Sequence, residues 1–295
     1  MTDLIWRTAT TADAEAVARL RTAIYEGTGT GWPVDAEGVR HEWRTMLTPE
    51  DTLLAVEGHE VLAWGYAWPR GERHYLGGGV HPARRGEGLG RQVLAWQLAR
   101  VPAGTKADTR VPAADAGTIR LLSRFGLAPQ RYYLELERPT SLSLGPTTVE
   151  GLRIDTFRPE YGPSLWEAHH DAFVGHYGFS PSPMGKWLAE RVEHPAFVAD
   201  WSFLALDGDT VVGYAIAFGP SSVHIGILGT RAPWRGRGVA AALLENATRA
   251  GAAAGVGEVN LDVDSENGTG AVGFYLHTGF TETSRTISYG LTVNP

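Results

Sequence analysis

The segment Arg231–Leu244, RAPWRGRGVAAALL, places three arginines and two glycines ahead of an alanine-rich run of helical character. Successive backbone N–H groups at a helix start lack intrahelical partners and sit at the positive end of the helix dipole, so such a turn favours an anion. Glycine at 236 and 238 removes the Cβ that would hold a phosphate away, and Arg235 and Arg237 add donors that reach phosphate oxygens. A pyrophosphate is the natural ligand of this arrangement. Taken alone, the turn also reads as a solvated basic loop capped by glycine. A second copy, RRGEGLGRQVL at Arg84–Leu94, repeats the device with Arg85, Gly86, Gly88 and Gly90 and tips the reading towards phosphate. Neither copy has the G-x-x-x-x-G-K-[ST] spacing of a P-loop or the full three-glycine dinucleotide fingerprint. Asp262 and Asp264 fall on one face of a strand by two-residue periodicity and could hold a cationic amine. His169, His170 and His176 invite a metal reading, but they form no i, i+4 pair with a completing glutamate, so no metal site is expected.

The elements that position these residues occur twice. LLAVEGHEVLAWGYAW (53–68) lines up with FLALDGDTVVGYAIAF (203–218), and the glycine-rich turns repeat at the same offset of 150 residues. SRFGL (123–127) resembles LHTGF (276–280), and each half begins with a short strand running into a helix. Domain-sized duplication accounts for this internal similarity. Each half reads as strand, one or two helices, a hairpin, a strand, a helix, a strand, a helix and a final strand, which is a mixed α/β sheet. The hairpin turns are EGHE and DGDT, and Gly251 and Gly255 are read as bounding the end of the alanine-rich helix. The predicted organisation is a first domain over 1–140, a Pro/Ser/Thr/Gly linker over 141–150 and a second domain over 151–295.

Composition narrows the function. The 295 residues carry 43% apolar and 20% charged side chains, as soluble globular chains do, and a net charge of −7. That charge, with no basic stripe interleaved with aromatics, argues against a nucleic-acid binder. There is no cysteine, hence no disulfide and no thiolate nucleophile. The N-terminus does not read as a secretory signal, and no apolar run approaches the roughly 20 residues that span a bilayer. The expectation is a cytoplasmic protein without membrane attachment, a monomer or homodimer.

Arg85-Gly86-Glu87-Gly88-Leu89-Gly90 and Arg235-Gly236-Arg237-Gly238-Val239-Ala240 both resemble the R/Q-x-x-G-x-G/A signature of the GNAT N-acetyltransferase superfamily. About thirty residues further on, Asn267, Ala271, Tyr275, Gly279 and Phe280 resemble that family's N-x-x-x-A-x-x-x-Y-x-x-x-G-F element. Both motifs in order are more specific than either alone. The chain as a whole is similar to the tandem GNAT proteins of actinobacteria, the mycothiol synthase type, and the resemblance is strongest from His170 onward.

This resemblance implies two tandem GNAT domains, acetyl-CoA as acyl donor, and an N-acetyltransferase acting on a small-molecule amine. It implies that Arg235 to Ala240 bind the pyrophosphate, that main-chain groups of Leu228, Gly229 and Thr230 contact the acetyl and pantetheine portions, and that Asn267 contacts the cofactor from the other side. Tyr275 takes the place of the phenol that protonates the departing thiolate. Related proteins carry a glutamate five residues before the strand glycine; counting back from Gly229 gives His224, a candidate base. A water chain without a dedicated base is the alternative, with Asp262 and Asp264 holding the amine. His176, Tyr177 and Phe179 lie in a segment that closes over the acceptor in tandem relatives. In the first half Leu122 stands where Tyr275 stands in the second, so that half is expected to be non-catalytic even if it holds acetyl-CoA. The rival expectations are a non-catalytic acyl-CoA-binding or sensor protein, and a mycothiol synthase proper.

Overall fold

The computed structural model describes residues 4–28, 34–143, 145–219 and 221–294. The chain divides into two compact units, Met1–Tyr132 with Thr286–Pro295, and Tyr133–Arg285.

In the first unit β1 (Leu4–Thr8) leads into α1 (Ala14–Thr28) and α2 (Ala36–Thr45), then β2 (Thr52–Glu57), β3 (Glu60–Arg70), β4 (Arg73–Val80), α3 (Leu89–Ala99), β5 (Lys106–Pro112) and α4 (Ala116–Arg124). β1 to β4 form an antiparallel succession, and β4 meets β5 in parallel over three residue pairs, Arg73 with Lys106 to Tyr75 with Asp108. One core of this unit gathers Leu76, Leu94, Ala107, Val111, Leu122 and Tyr289.

β6 (Ala128–Pro139) carries the chain into the second unit, where β7 (Arg153–Thr156), α5 (Gly162–Phe173), α6 (Met184–Arg191), β8 (Phe203–Asp207), β9 (Thr210–Phe218), β10 (Val223–Thr230), α7 (Val239–Ala253), β11 (Glu258–Asp264) and α8 (Ala271–His277) repeat the plan. The duplication reaches fine detail. Both hairpins turn on a left-handed glycine, Gly58 (φ 62°) and Gly208 (φ 59°), and both carry a register shift at matching places, Ala55/Val56 and Ala205/Leu206.

The closing strands depart from the sequence expectation that each half ends on its own sheet. Residues 133–139 of β6 pair antiparallel with β11, and residues 286–292 of β12 (Thr281–Thr292) pair antiparallel with β5. Side chains fix this exchange. Leu136 enters the second unit's core, and buried Arg138 donates to Thr248 Oγ1 at 2.6 Å and to the Thr278 carbonyl at 2.7 Å. Tyr289 enters the first unit's core, and Ser288 hydrogen-bonds Asp108 there. The segment read as a linker lies against the second unit: Asn246 donates to the Thr147 carbonyl at 2.8 Å and Thr140 to that of Val256 at 2.6 Å. Gly251 is inside α7 rather than beyond it, and packing calls for glycine there: a Cβ would lie 2.3 Å from Val223 Cγ2. Gly255 (φ 79°) does follow the helix end.

Candidate active site

In the second unit the parallel contact of β10 with β11 is two residue pairs long, Val223 with Val259 and His224 with Asn260. Beyond it β10 stays on β9, shifted in register between Ile225 and Ile227, while β11 stays on β6 as far as Asp264. The two strands thus part after His224 and leave polar backbone edges facing one another, an opening suited to an extended ligand with amide groups. Gly229 on β10 lies opposite Tyr214, and a Cβ at 229 would come within 2.3 Å of the Tyr214 hydroxyl oxygen. That hydroxyl meets His169 Nδ1 at 3.1 Å, so the sequence reading missed a buried Tyr214–His169 pair that packs beneath the strand. Thr230 Oγ1 is buried with no hydrogen-bond partner among the described residues, and Leu228 is partly buried against the core.

The turn between β10 and α7 is built on a left-handed backbone. Gly236 (φ 74°) and Gly238 (φ 79°) are left-handed, and Gly238 is the N-cap of α7. A Cβ at either would meet nothing within 4 Å, so conformation, rather than crowding by the protein, calls for glycine here. The first hydrogen bond of the helix runs from Ala242 N–H to the Gly238 carbonyl at 3.0 Å, so the Val239 and Ala240 amides lie ahead of the ladder. The arginines around this turn each have a partner within the fold. Arg235 donates to the carbonyls of Thr230 (3.0 Å) and Ala172 (3.1 Å), bracing the turn against the end of α5. Arg231 pairs with Asp171 from Nε at 2.8 Å, and Arg237 covers the Trp234 ring at 4.5 Å.

Tyr275, 9% exposed, projects from α8 into a core with Val259, Leu261, Val263 and Phe280. Its ring meets Phe274 and Phe280 edge to face at 5.2 and 5.7 Å. Burial pushes the phenol well above its ordinary pKa, and the Asp262 carboxylate adds to the rise, so the group holds its proton at neutral pH. Burial moves His224 the other way, below its ordinary value, against opposing contributions from Asn260 and Asp262; the ring is neutral at pH 7. One carboxylate therefore acts on both groups.

Asn260, Asp262 and Asp264 alternate along one face of β11, with Val259, Leu261 and Val263 on the other. Across the ladder Asp262 is opposite Glu135 and Asn260 opposite Glu137. Asn267 accepts from the Thr269 amide at 2.8 Å and from its hydroxyl, so its Oδ1 shapes the loop before α8. His176 contacts the Phe173 carbonyl through Nδ1 at 3.2 Å; Phe179 packs near His170 at 5.6 Å; Tyr177 is more exposed. Trp166 and His170 hold Ser182 by bonds of 2.9 and 3.2 Å and so secure the far end of that segment.

The first unit has the same turn with different chemistry. Gly86 (φ 87°) and Gly88 (φ 85°) repeat the left-handed pair, and Gly88 caps α3. Gly90 lies within α3 with ordinary contacts to Leu121 and Val80. Glu87 stands where Arg237 stands in the second unit and is paired with Arg84 at 2.9 Å. Arg85 is exposed, without the tether that holds Arg235 among the described residues. Leu122 is 4% exposed in the core.

This pairing of a helix-start cradle with a parted parallel pair defines a class. Residues 159–280 match the acetyltransferase (GNAT) family. The mycothiol acetyltransferase of Thermobispora bispora is 31% identical, with 95% of this chain and 96% of that protein covered. That of Catenulispora acidiphila is 30% identical over 72% of this chain and 70% of that protein. Among solved structures, a GCN5-related N-acetyltransferase from Sphaerobacter thermophilus superposes with a TM-score of 0.75 at 28% identity, covering 99% of this chain and 96% of that one. A tandem GNAT protein from the clavulanic acid biosynthesis pathway gives 0.75 at 16% identity, covering 99% of both chains. The chain belongs to the GNAT acetyltransferase family, as a tandem member, and is an acyltransferase.

Proposed function

We propose that the second unit transfers an acetyl group from acetyl-CoA to the primary amine of a small molecule, and that the first unit does not catalyse. The observation that carries this reading is the presence in one unit of the glycine cradle, the parted β10–β11 pair and a buried, protonated Tyr275, against Leu122 in the other.

The fit to the cofactor rests on the left-handed glycines at 236 and 238 and the unladdered amides that follow them. Gly236 to Ala240 would hold the diphosphate, with Arg237 supplying charge and Arg235 turning from its carbonyl partners. Leu228 to Thr230 would line the acyl arm through their main-chain groups, and Asn267 would lie on its other side. Bound acetyl-CoA supplies an acyl thioester. The chain's own residues then move protons: His224 removes one from the acceptor amine, and the Tyr275 phenol gives one to the sulfur that leaves. Asp262 and Asp264 hold the amine while it is cationic, with His176, Tyr177 and Phe179 on the acceptor side.

The names of the relatives favour a mycothiol precursor as the first acceptor to try, ahead of aminoglycoside-like and amino-acid-derived amines. Incubation with acetyl-CoA and an amine panel, read by release of free CoA thiol, tests the reading. Acceptor-dependent thiol release is expected. Tight acetyl-CoA binding without release for any amine would favour the sensor alternative.

A further inference from the structure

His224 and Asn260 form the last rung before β10 and β11 part, and their side chains meet, His224 Nδ1 to Asn260 Oδ1 at 2.8 Å. The orientation of the amide is set from its other end, where Asn260 Nδ2 donates to Glu258 Oε1 at 3.3 Å. A flipped amide would turn its oxygen onto that carboxylate. Asn260 Oδ1 accepts only, so Nδ1 of a neutral His224 must carry the proton and the lone pair must sit on Nε2.

The first unit supplies the contrast. His74 occupies the matching place on β4, but its partner across the parallel rung is Ala107. His74 Nδ1 is buried without a hydrogen-bond partner among the described residues. The same ring on the same rung is therefore held in one unit and not in the other.

We propose that Asn260 is a positioning residue that fixes His224 as the Nδ1–H tautomer and aims Nε2 as the proton acceptor. This rests on the reading of His224 as the base. A neutral amide orients the ring without adding a charge to it, and burial, acting against the upward pull of that hydrogen bond, leaves the imidazole neutral at pH 7. Charged groups near this pair include Asp262 and Glu258 on β11 and Glu137, opposite Asn260 on β6; Phe218 faces His224 from β9.

The test is long-range 1H–15N correlation on histidine-labelled full-length protein at pH 8, with the His224 signals assigned from H224Q. Wild type is expected to show an unprotonated Nε2 and a protonated Nδ1. Asn260→Leu is expected to shift the population severalfold towards the Nε2–H form, with an unchanged melting temperature as the check on folding. Asn260→Asp keeps an acceptor on Nδ1 and adds a charge, so it retains the tautomer and moves the acidic limb of kcat/KM to higher pH. An Nε2–H ring in wild type or an unaltered tautomer in N260L overturns the proposal, as does an unmoved limb in N260D when H224Q has abolished that limb. If the tautomers behave as expected while H224Q keeps the acidic limb, the orienting role stands and the base reading falls.

Discussion

Gly86 and Gly88 in the first unit and Gly236 and Gly238 in the second hold the same left-handed turn ahead of a helix, yet the residue between them is Glu87 in one and Arg237 in the other. Backbone geometry has been kept in both copies, while the chemistry around it has been kept in one. The first unit has a carboxylate in the cradle, leucine in place of the phenol and alanine in place of the amide that holds the rung histidine. On the proposed reading a turn of this kind serves two purposes: it starts a helix, and with the right neighbours it would bind a diphosphate. The second purpose requires side chains that the first can do without.

The largest way to sharpen the contrast is at the phenol. Tyr275→Phe is expected to lower kcat by roughly 10²–10⁴-fold, the usual range for a general acid, with little change in acetyl-CoA affinity. Leu122→Tyr in the first unit is expected to create no activity, because Glu87 and Ala107 stand there in the places of Arg237 and Asn260. Steady-state kinetics with calorimetric binding separates the two effects; equal turnover in Y275F would remove the acid role.

Next comes the base. Burial lowers the His224 pKa, so kcat/KM rises with pH through a limb placed below the ordinary histidine value of about 6.5 and is level above it. His224→Gln is expected to abolish that limb and to cost on the order of 10²-fold in kcat/KM near neutrality. A full pH–rate profile of both proteins checks this, and a limb that survives in the variant contradicts it.

A smaller effect is expected from charge. Arg237→Glu copies the first unit's turn and should raise the acetyl-CoA Kd severalfold, more at low salt than at high, because an exposed charge is screened. Titration at two ionic strengths reads it directly. Glu87→Arg should leave turnover unchanged.

Much of this was legible in the sequence because it is local. Glycine-rich turns, hairpin turns and the repeat at 150 residues can be read from short stretches of chain, and the mixed α/β tandem fold followed from them. The residues that hold the site are not local. Asn260 meets His224 only through the register of a parallel pair, and Tyr214 meets His169 only when α5 lies over β9. Arg235 spends its donors on Ala172, 63 residues away. The exchanged ends of β6 and β12 escaped for the same reason: alternating strands show which face is apolar, not which sheet will take them.

The central claim is that the turn of the second unit holds the donor whose acetyl group is transferred. Comparing kcat/KM for acetyl-CoA in Gly238→Val and Gly88→Val tests it most directly. Each places a β-branched side chain at a left-handed position, at a cost of about 1–2 kcal/mol where the backbone must stay as it is. The account predicts a loss of tenfold or more in G238V and wild-type kinetics in G88V. The reverse pattern, or equal losses in both, would contradict it.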